Sequence, residues 1–172
     1  MNNLIRERKG MLILSLLVIL LPLGVGLFLW NQLPDQVPIH FGLNGQADNY
    51  AGKAFVVFGL PLLMAALQVL LLVVTMADPK GKNIAAKPFG LLLWICPLVS
   101  LFCGTMTYAK ALALPVDINL VGGLFLGLMF LVVGNYLPKC KQTYTVGIRL
   151  PWTLADEDNW AYTHRLAGKV WT

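Results

Sequence analysis

Apolar residues in this chain gather into four unbroken runs, Met11–Trp30, Ala54–Met76, Phe89–Ala109 and Ile118–Leu137. Each is 20 to 23 residues long and contains no Asp, Glu, Lys, Arg or His. At a helical rise of 1.5 Å per residue, about 20 residues cross the roughly 30 Å hydrocarbon layer of a bilayer. A helix flanking a water-soluble core returns to polar residues every turn, and none of these runs does. The pattern predicts an all-α membrane protein, a four-helix transmembrane bundle over residues 1–138. Two polar segments stand outside it: an ordered external loop at 31–53 and an amphipathic C-terminal segment at 139–172.

Polarity within the spans is sparse. Pro22, Pro61 and Pro97 each remove one backbone hydrogen bond and predict kinks made good by neighbouring helices. Ser100-x-x-x-Gly104 and Gly123-x-x-x-Gly127 place small residues four apart, which lets helix backbones approach closely. They are read as packing within the bundle, with homo-oligomerisation as the second option. Gln68, Thr105, Thr107 and Asn135 are expected to bond between helices. The spans lack the buried carboxylate, His or Lys that proton relays and ion pathways use, which counts against an ion-coupled transporter.

The loop 31–53 alternates: Val37, Ile39 and Phe41 are interleaved with Pro38 and His40, a period of two. Asn44-Gly45 suits a tight turn with positive φ. Pro34 and Pro38 confine any strand to an edge. An ordered β-like cap follows. Asp35, His40 and Asp48 match no standard metal-ligand spacing, so no metal or other cofactor is expected.

In the tail, Tyr144, Val146, Ile148 and Leu150 alternate with more polar neighbours and predict a short extended segment ended by Pro151. Thr153 resembles a helix N-cap, with Asp156 three positions on. Trp160, His164, Ala167 and Trp171 then share one face of a helix. Trp152, Trp160 and Trp171 suit the membrane interface.

Charge sets the topology. Of 13 Lys and Arg, eleven fall before the first run, between the second and third, or after the fourth; only Lys53 and Lys110 lie on the other side. Basic short loops stay cytoplasmic, so both termini are expected on the cytoplasmic side of the membrane. The net charge of +5 is thereby explained by topology and implies no nucleic-acid binding. The first run is too long for a signal peptide, and no small-x-small cleavage site follows it. Cys96, Cys103 and Cys140 lie outside the external loops, so no disulfide framework is expected. No triad, carboxylate pair or metal cluster is present to support an enzyme, and no catalytic residue is assigned.

Two motifs carry a resemblance. Leu33-Pro34-Asp35-x-Val37-Pro38-x-His40-Phe41, followed by Gly45, Asp48 and Lys53, resembles a bacterial membrane domain of unknown function often found at the N-terminus of SdpI-family proteins. The stretches Gly134-Asn135-Tyr136-Leu137-Pro138-Lys139, Tyr144-x-Val146-Gly147-Ile148-Arg149-x-Pro151-Trp152-Thr153-Leu154 and Trp160-x-x-Thr163-His164-Arg165-x-x-Gly168-Lys169 resemble the SdpI signature. The resemblance implies a multi-pass immunity and signalling protein, which resists a secreted peptide toxin and holds a transcriptional repressor at the membrane. Asp35, His40, Phe41 and Asp48 are the candidates for external recognition. Arg149, Trp152, His164 and Arg165 are the candidates for cytoplasmic docking, with interfacial anchoring as the competing reading. SdpI-family members usually continue into further spans, whereas this chain stops at Thr172, so the family's full mechanism is not carried over. A transporter or channel subunit for a small molecule or peptide is the alternative function.

Overall fold

Residues 6–172 are described by a computed structural model. All four apolar runs are helical, and among the described residues four helices are long and apolar enough to cross a membrane: Lys9–Phe28, Phe55–Met76, Ala86–Ala111 and Ile118–Lys139. The chain is an all-α multi-pass membrane protein. The prolines shape the spans differently. The first is interrupted between α1 (Lys9–Ile19) and α2 (Leu21–Phe28), where Pro22 has no N–H to continue the ladder. The second opens with a π-helical turn, Phe55–Gly59, in which Leu60 N–H donates to Phe55 O just before Pro61; α3 (Leu60–Met76) follows. The third, α4 (Ala86–Ala111), continues through Pro97. The fourth is α5 (Ile118–Tyr136) with a 3-10 turn at Leu137–Lys139.

The chain forms two compact parts, and the division between them runs across the helices. One comprises Ile13–Gln68 and Ile95–Phe125; the other comprises residues 6–12, Val69–Trp94 and Leu126–Thr172. The first is called here the hairpin part and the second the tail part.

The hairpin part carries a two-stranded antiparallel sheet, β1 (Gln36–Phe41) and β2 (Ala47–Gly52). The register runs from Gln36 opposite Gly52 to Phe41 opposite Ala47, with irregularities on both sides of His40. Gly45 takes φ 72° in the turn, and Asn44 Oδ1 accepts from Gln46 N–H at 3.0 Å. Val37 and Ile39 face inward onto Leu33, Val56, Val57 and Tyr108, which form the core beneath the sheet. Ser100 Oγ–H donates to Ile19 O at 2.9 Å, and Tyr108 O–H to Pro22 O at 2.9 Å. A Cβ on Gly104 would come within 2.7 Å of Pro22 Cβ, so this glycine permits a close helix contact. Gly123 and Gly127 behave differently. A Cβ there meets nothing within 4 Å among the described residues, so both glycines border open space.

The tail part packs Leu72, Ile84, Phe89 and Leu93 with Met11, Leu12 and Val146. Two helices follow the last span: α6 (Pro151–Ala155) and α7 (Glu157–Trp171). A Cβ on Gly168 would lie 2.5 Å from Pro138 Cγ, and one on Gly134 would lie 2.8 Å from Trp171 Cβ. The two glycines therefore set how closely α7 sits against the end of α5. Phe130 meets Trp171 edge-on at 5.2 Å.

Candidate functional site

In the hairpin part, the four candidate recognition residues do not converge on one point. His40 Nδ1–H donates to Asp48 Oδ1 at 2.5 Å across the strands, and both side chains are largely exposed. Asp35 instead pairs with Lys53 at 3.4 Å. Lys53 also lies 5.0 Å from the Trp30 ring centroid, and its N–H donates to Asp35 O, which closes the base of the hairpin. Phe41 is half-buried and lines a separate cleft with Gln36, Tyr50 and Lys110. The turn is tied down by Asn119, whose Nδ2–H donates to Leu43 O at 3.0 Å. Asp117 caps α5 by accepting from the N–H groups of Asn119 and Leu120.

In the tail part the organising group is Asp78, in the loop between α3 and α4. Its side chain is buried and accepts three hydrogen bonds: Lys80 N–H at 2.8 Å, Tyr144 N–H at 2.9 Å and Thr145 Oγ–H at 2.7 Å. The same loop holds Gln142 from two sides. Asn83 Nδ2–H donates to Gln142 O at 2.9 Å, and Lys80 Nζ–H donates to Gln142 Oε1. Gln142 Nε2–H in turn donates to Thr153 O and Leu154 O at 2.8 and 3.1 Å, joining the loop to α6. Sequence reasoning missed this clasp. The signal available was small: Asp78 is the one acid in a lysine-rich loop, and it precedes Pro79.

The extended segment expected at 144–150 is absent; these residues form bends and irregular chain, because no strand lies beside them to complete a ladder. Side chains supply the partners instead. Ile148 N–H donates to His164 Nε2 at 2.9 Å, and His164 Nδ1–H donates to Trp160 O at 2.8 Å, so both ring nitrogens are used and the neutral tautomer is fixed. Burial lowers the His164 pKa below the usual imidazole value, and the bond to Trp160 O opposes this in part. Trp160 stacks on His164 at 4.0 Å and donates Nε1–H to Cys140 O at 2.8 Å. Trp160 is therefore buried in protein rather than anchored at the membrane interface. The Cys140 thiol is pushed up by burial. Gly147 occupies φ 125°, and a Cβ there would stand 2.6 Å from both the His164 and Trp160 rings.

Thr153 is not the N-cap of the long helix. It is fully buried, receives Leu150 N–H and donates to Ile148 O. Asp156 is the cap, accepting Asn159 N–H at 2.8 Å. Of the four docking candidates, Trp152 is 56% exposed, and Arg149 and Arg165 are exposed; His164 is 1% exposed. Arg149 Nη1–H donates to Tyr144 O at 2.9 Å. The opposite side of α7 presents Tyr162, Leu166 and Val170, all exposed, a stripe the sequence reading did not single out. Among the described residues no group of three or more His, Cys, Asp or Glu is placed to hold a metal ion, and the three cysteines are free.

The SdpI/YfhL protein family model matches residues 139–172, and that of a domain of unknown function, DUF1648, matches residues 17–65. Immunity protein SdpI of Bacillus subtilis (strain 168) is 27% identical over 162 residues, which is 92% of this chain and 74% of that protein. No solved structure matches the chain.

Proposed function

We propose that this chain, whose residues 139–172 match the SdpI/YfhL protein family model, is an immunity protein of the bacterial cell membrane. In this reading it protects its host against a secreted peptide toxin. The observation that carries the reading is the likeness to an immunity protein along nearly the whole chain. The eleven-to-two distribution of basic residues supports a topology with both termini in the cytoplasm. The hairpin then meets the toxin outside, and residues 139–172 meet a transcriptional repressor inside.

The tail geometry refines the docking roles. Arg149, Trp152 and Arg165 are available to a partner. His164 serves by holding Ile148, and with it the backbone next to Arg149, in place. Arg supplies a planar fork of donors and Trp a large apolar face with one donor. Toxin binding shifts the tail's affinity for the repressor only as far as toxin discriminates between two states of the protein.

The test replaces Asp35, His40, Phe41 and Asp48 together with alanine and measures survival under toxin at matched membrane expression. Loss of protection is expected; full protection removes the hairpin from the mechanism. In parallel, Arg149→Lys with Arg165→Lys keeps charge but removes bidentate geometry, so repressor recruitment is expected to fall while membrane association of the tail persists. Normal recruitment by that variant leaves the tail as an anchor.

A further inference from the structure

The hairpin part contains six ionisable groups apart from Cys and Tyr: Asp35, His40, Asp48, Lys53, Lys110 and Asp117. Five are engaged with one another or with backbone. Asp35 pairs with Lys53, His40 with Asp48, and Asp117 caps α5. Of these six, Lys110 is the one with no side-chain partner among the described residues. It stands in the last turn of α4, where the helix dipole favours a cation but satisfies none of its N–H donors.

Lys110 lines a cleft of about 320 Å3 whose opposite wall is one face of the hairpin. That wall carries Gln36, Pro38, Phe41, Gln46 and Tyr50. The side chains of Gln36, Gln46 and Tyr50 make no hydrogen bond among the described residues. The cleft therefore combines an unneutralised ammonium, two amides that both donate and accept, a phenol, and an apolar floor from Pro38 and Phe41. It holds no carboxylate.

We propose that this cleft receives the carboxyl terminus of an extended peptide. The ammonium takes the terminal carboxylate, Gln36 and Gln46 pair with the main-chain amides beside it, and the floor takes an apolar side chain. Charge complementarity selects an anion. The amide pair selects a peptide over an inorganic ion, because a terminal carboxylate brings main-chain amides directly next to the charge, whereas an acidic side chain holds them away. The inference rests on the immunity reading and specifies the end of the peptide that is read.

The experiment uses the full chain in lipid nanodiscs at low salt. The probe is an N-acetylated hexapeptide of Ala, Val and Leu carrying a neutral coumarin, followed by fluorescence anisotropy against empty nanodiscs. Its C-terminal amide and an amidated analogue with one internal Glu are compared. The free acid is expected to bind saturably and about tenfold more tightly than either amide, in keeping with a hydrogen-bonded charge contact. Lys110→Gln is expected to erase the difference, and Lys110→Arg to keep most of it, with thermal unfolding of both variants near the parent's. Four results overturn the proposal: no saturable binding of the acid, equal binding of acid and amide, equal binding of the internal-Glu amide, or unchanged discrimination in Lys110→Gln. No toxin is involved, so this outcome separates from the reading it rests on. No discrimination by the parent chain with protection intact sinks the cleft alone, and failed protection by the parent chain with discrimination intact sinks the immunity reading.

Discussion

Replacing Asp78 with Asn should release residues 140–150 from the loop that holds them. The carboxylate accepts from two backbone N–H groups and one hydroxyl, at 2.8, 2.9 and 2.7 Å, in a buried position. An amide keeps one oxygen and substitutes two N–H donors for the other. The best orientation leaves the oxygen toward Tyr144 and Thr145 and turns the NH2 on the Lys80 N–H, so one contact becomes donor against donor and the remaining two lose their charge assistance. Hydrogen bonds to charged groups contribute about 1.5–3 kcal/mol each, and an unsatisfied buried donor costs about 1–3 kcal/mol. A local destabilisation of about 2–3 kcal/mol follows, which is roughly 30- to 150-fold in the opening equilibrium. Amide hydrogen exchange read by mass spectrometry on peptides spanning 140–150 should accelerate by that factor. Thr145→Val removes one of the three bonds and, at the low end of that range for a bond at the edge of the clasp, should accelerate exchange about tenfold. The reasoning fails if Asp78→Asn exchanges within threefold of the parent, or if hairpin peptides accelerate equally, since the damage would then be global.

His164 makes exchange in the same segment pH-dependent. Its pKa is lowered in the folded protein, so below about 6.5 the unfolded state binds more protons than the folded state, and stability is lost as pH falls from 6.5 toward the depressed folded value. Protonated Nε2 cannot accept the Ile148 N–H, so Ile148–Leu150 amides should exchange faster at pH 5 than at pH 7.5 after correction for intrinsic rates; a flat profile refutes this. Gly147→Ala places a Cβ against the His164 and Trp160 rings at φ 125°, and strain plus overpacking should cost about 2–4 kcal/mol, seen as a large loss of protection in tail peptides. Ala113 has φ 56° just past α4, where Leu114 N–H donates to Ala109 O. Ala113→Gly should therefore stabilise by about 1 kcal/mol, seen as a raised thermal midpoint in nanodiscs; a lowered midpoint contradicts it.

The spans were legible because a bilayer demands uniform apolarity over a fixed length, and sequence reports both directly. The third span runs from Ala86 to Ala111, beyond the apolar run at each end, because polar and small residues at helix termini leave no hydropathy signal. In the hairpin, Asn44-Gly45 and the alternation of Val37 with Ile39 marked the turn and the inward face, while β2, reading Ala-Asp-Asn-Tyr-Ala-Gly, has no alternation to show. The tail was harder. Alternating residues at 144–150 satisfied the pattern of a strand but had no neighbouring strand. The bonds that replace it come from Asp78, more than sixty residues away, and from His164. Thr153 had the chemistry of a cap, yet its burial was set by Gln142 and by its own bond to Ile148 O, which no local pattern encodes. Gly123 and Gly127 had the spacing for close packing, and a Cβ at either meets nothing within 4 Å among the described residues.

Immunity is the claim on which the rest depends, and gene replacement tests it most directly. The gene for Immunity protein SdpI in Bacillus subtilis is exchanged for one encoding this chain, and the strain is grown beside its parent, with a plain deletion strain as reference. Growth matching the parent, where the deletion strain is lost, is the expected result. Loss of the replacement strain at the deletion strain's rate, with this chain present in its membrane, would contradict the account.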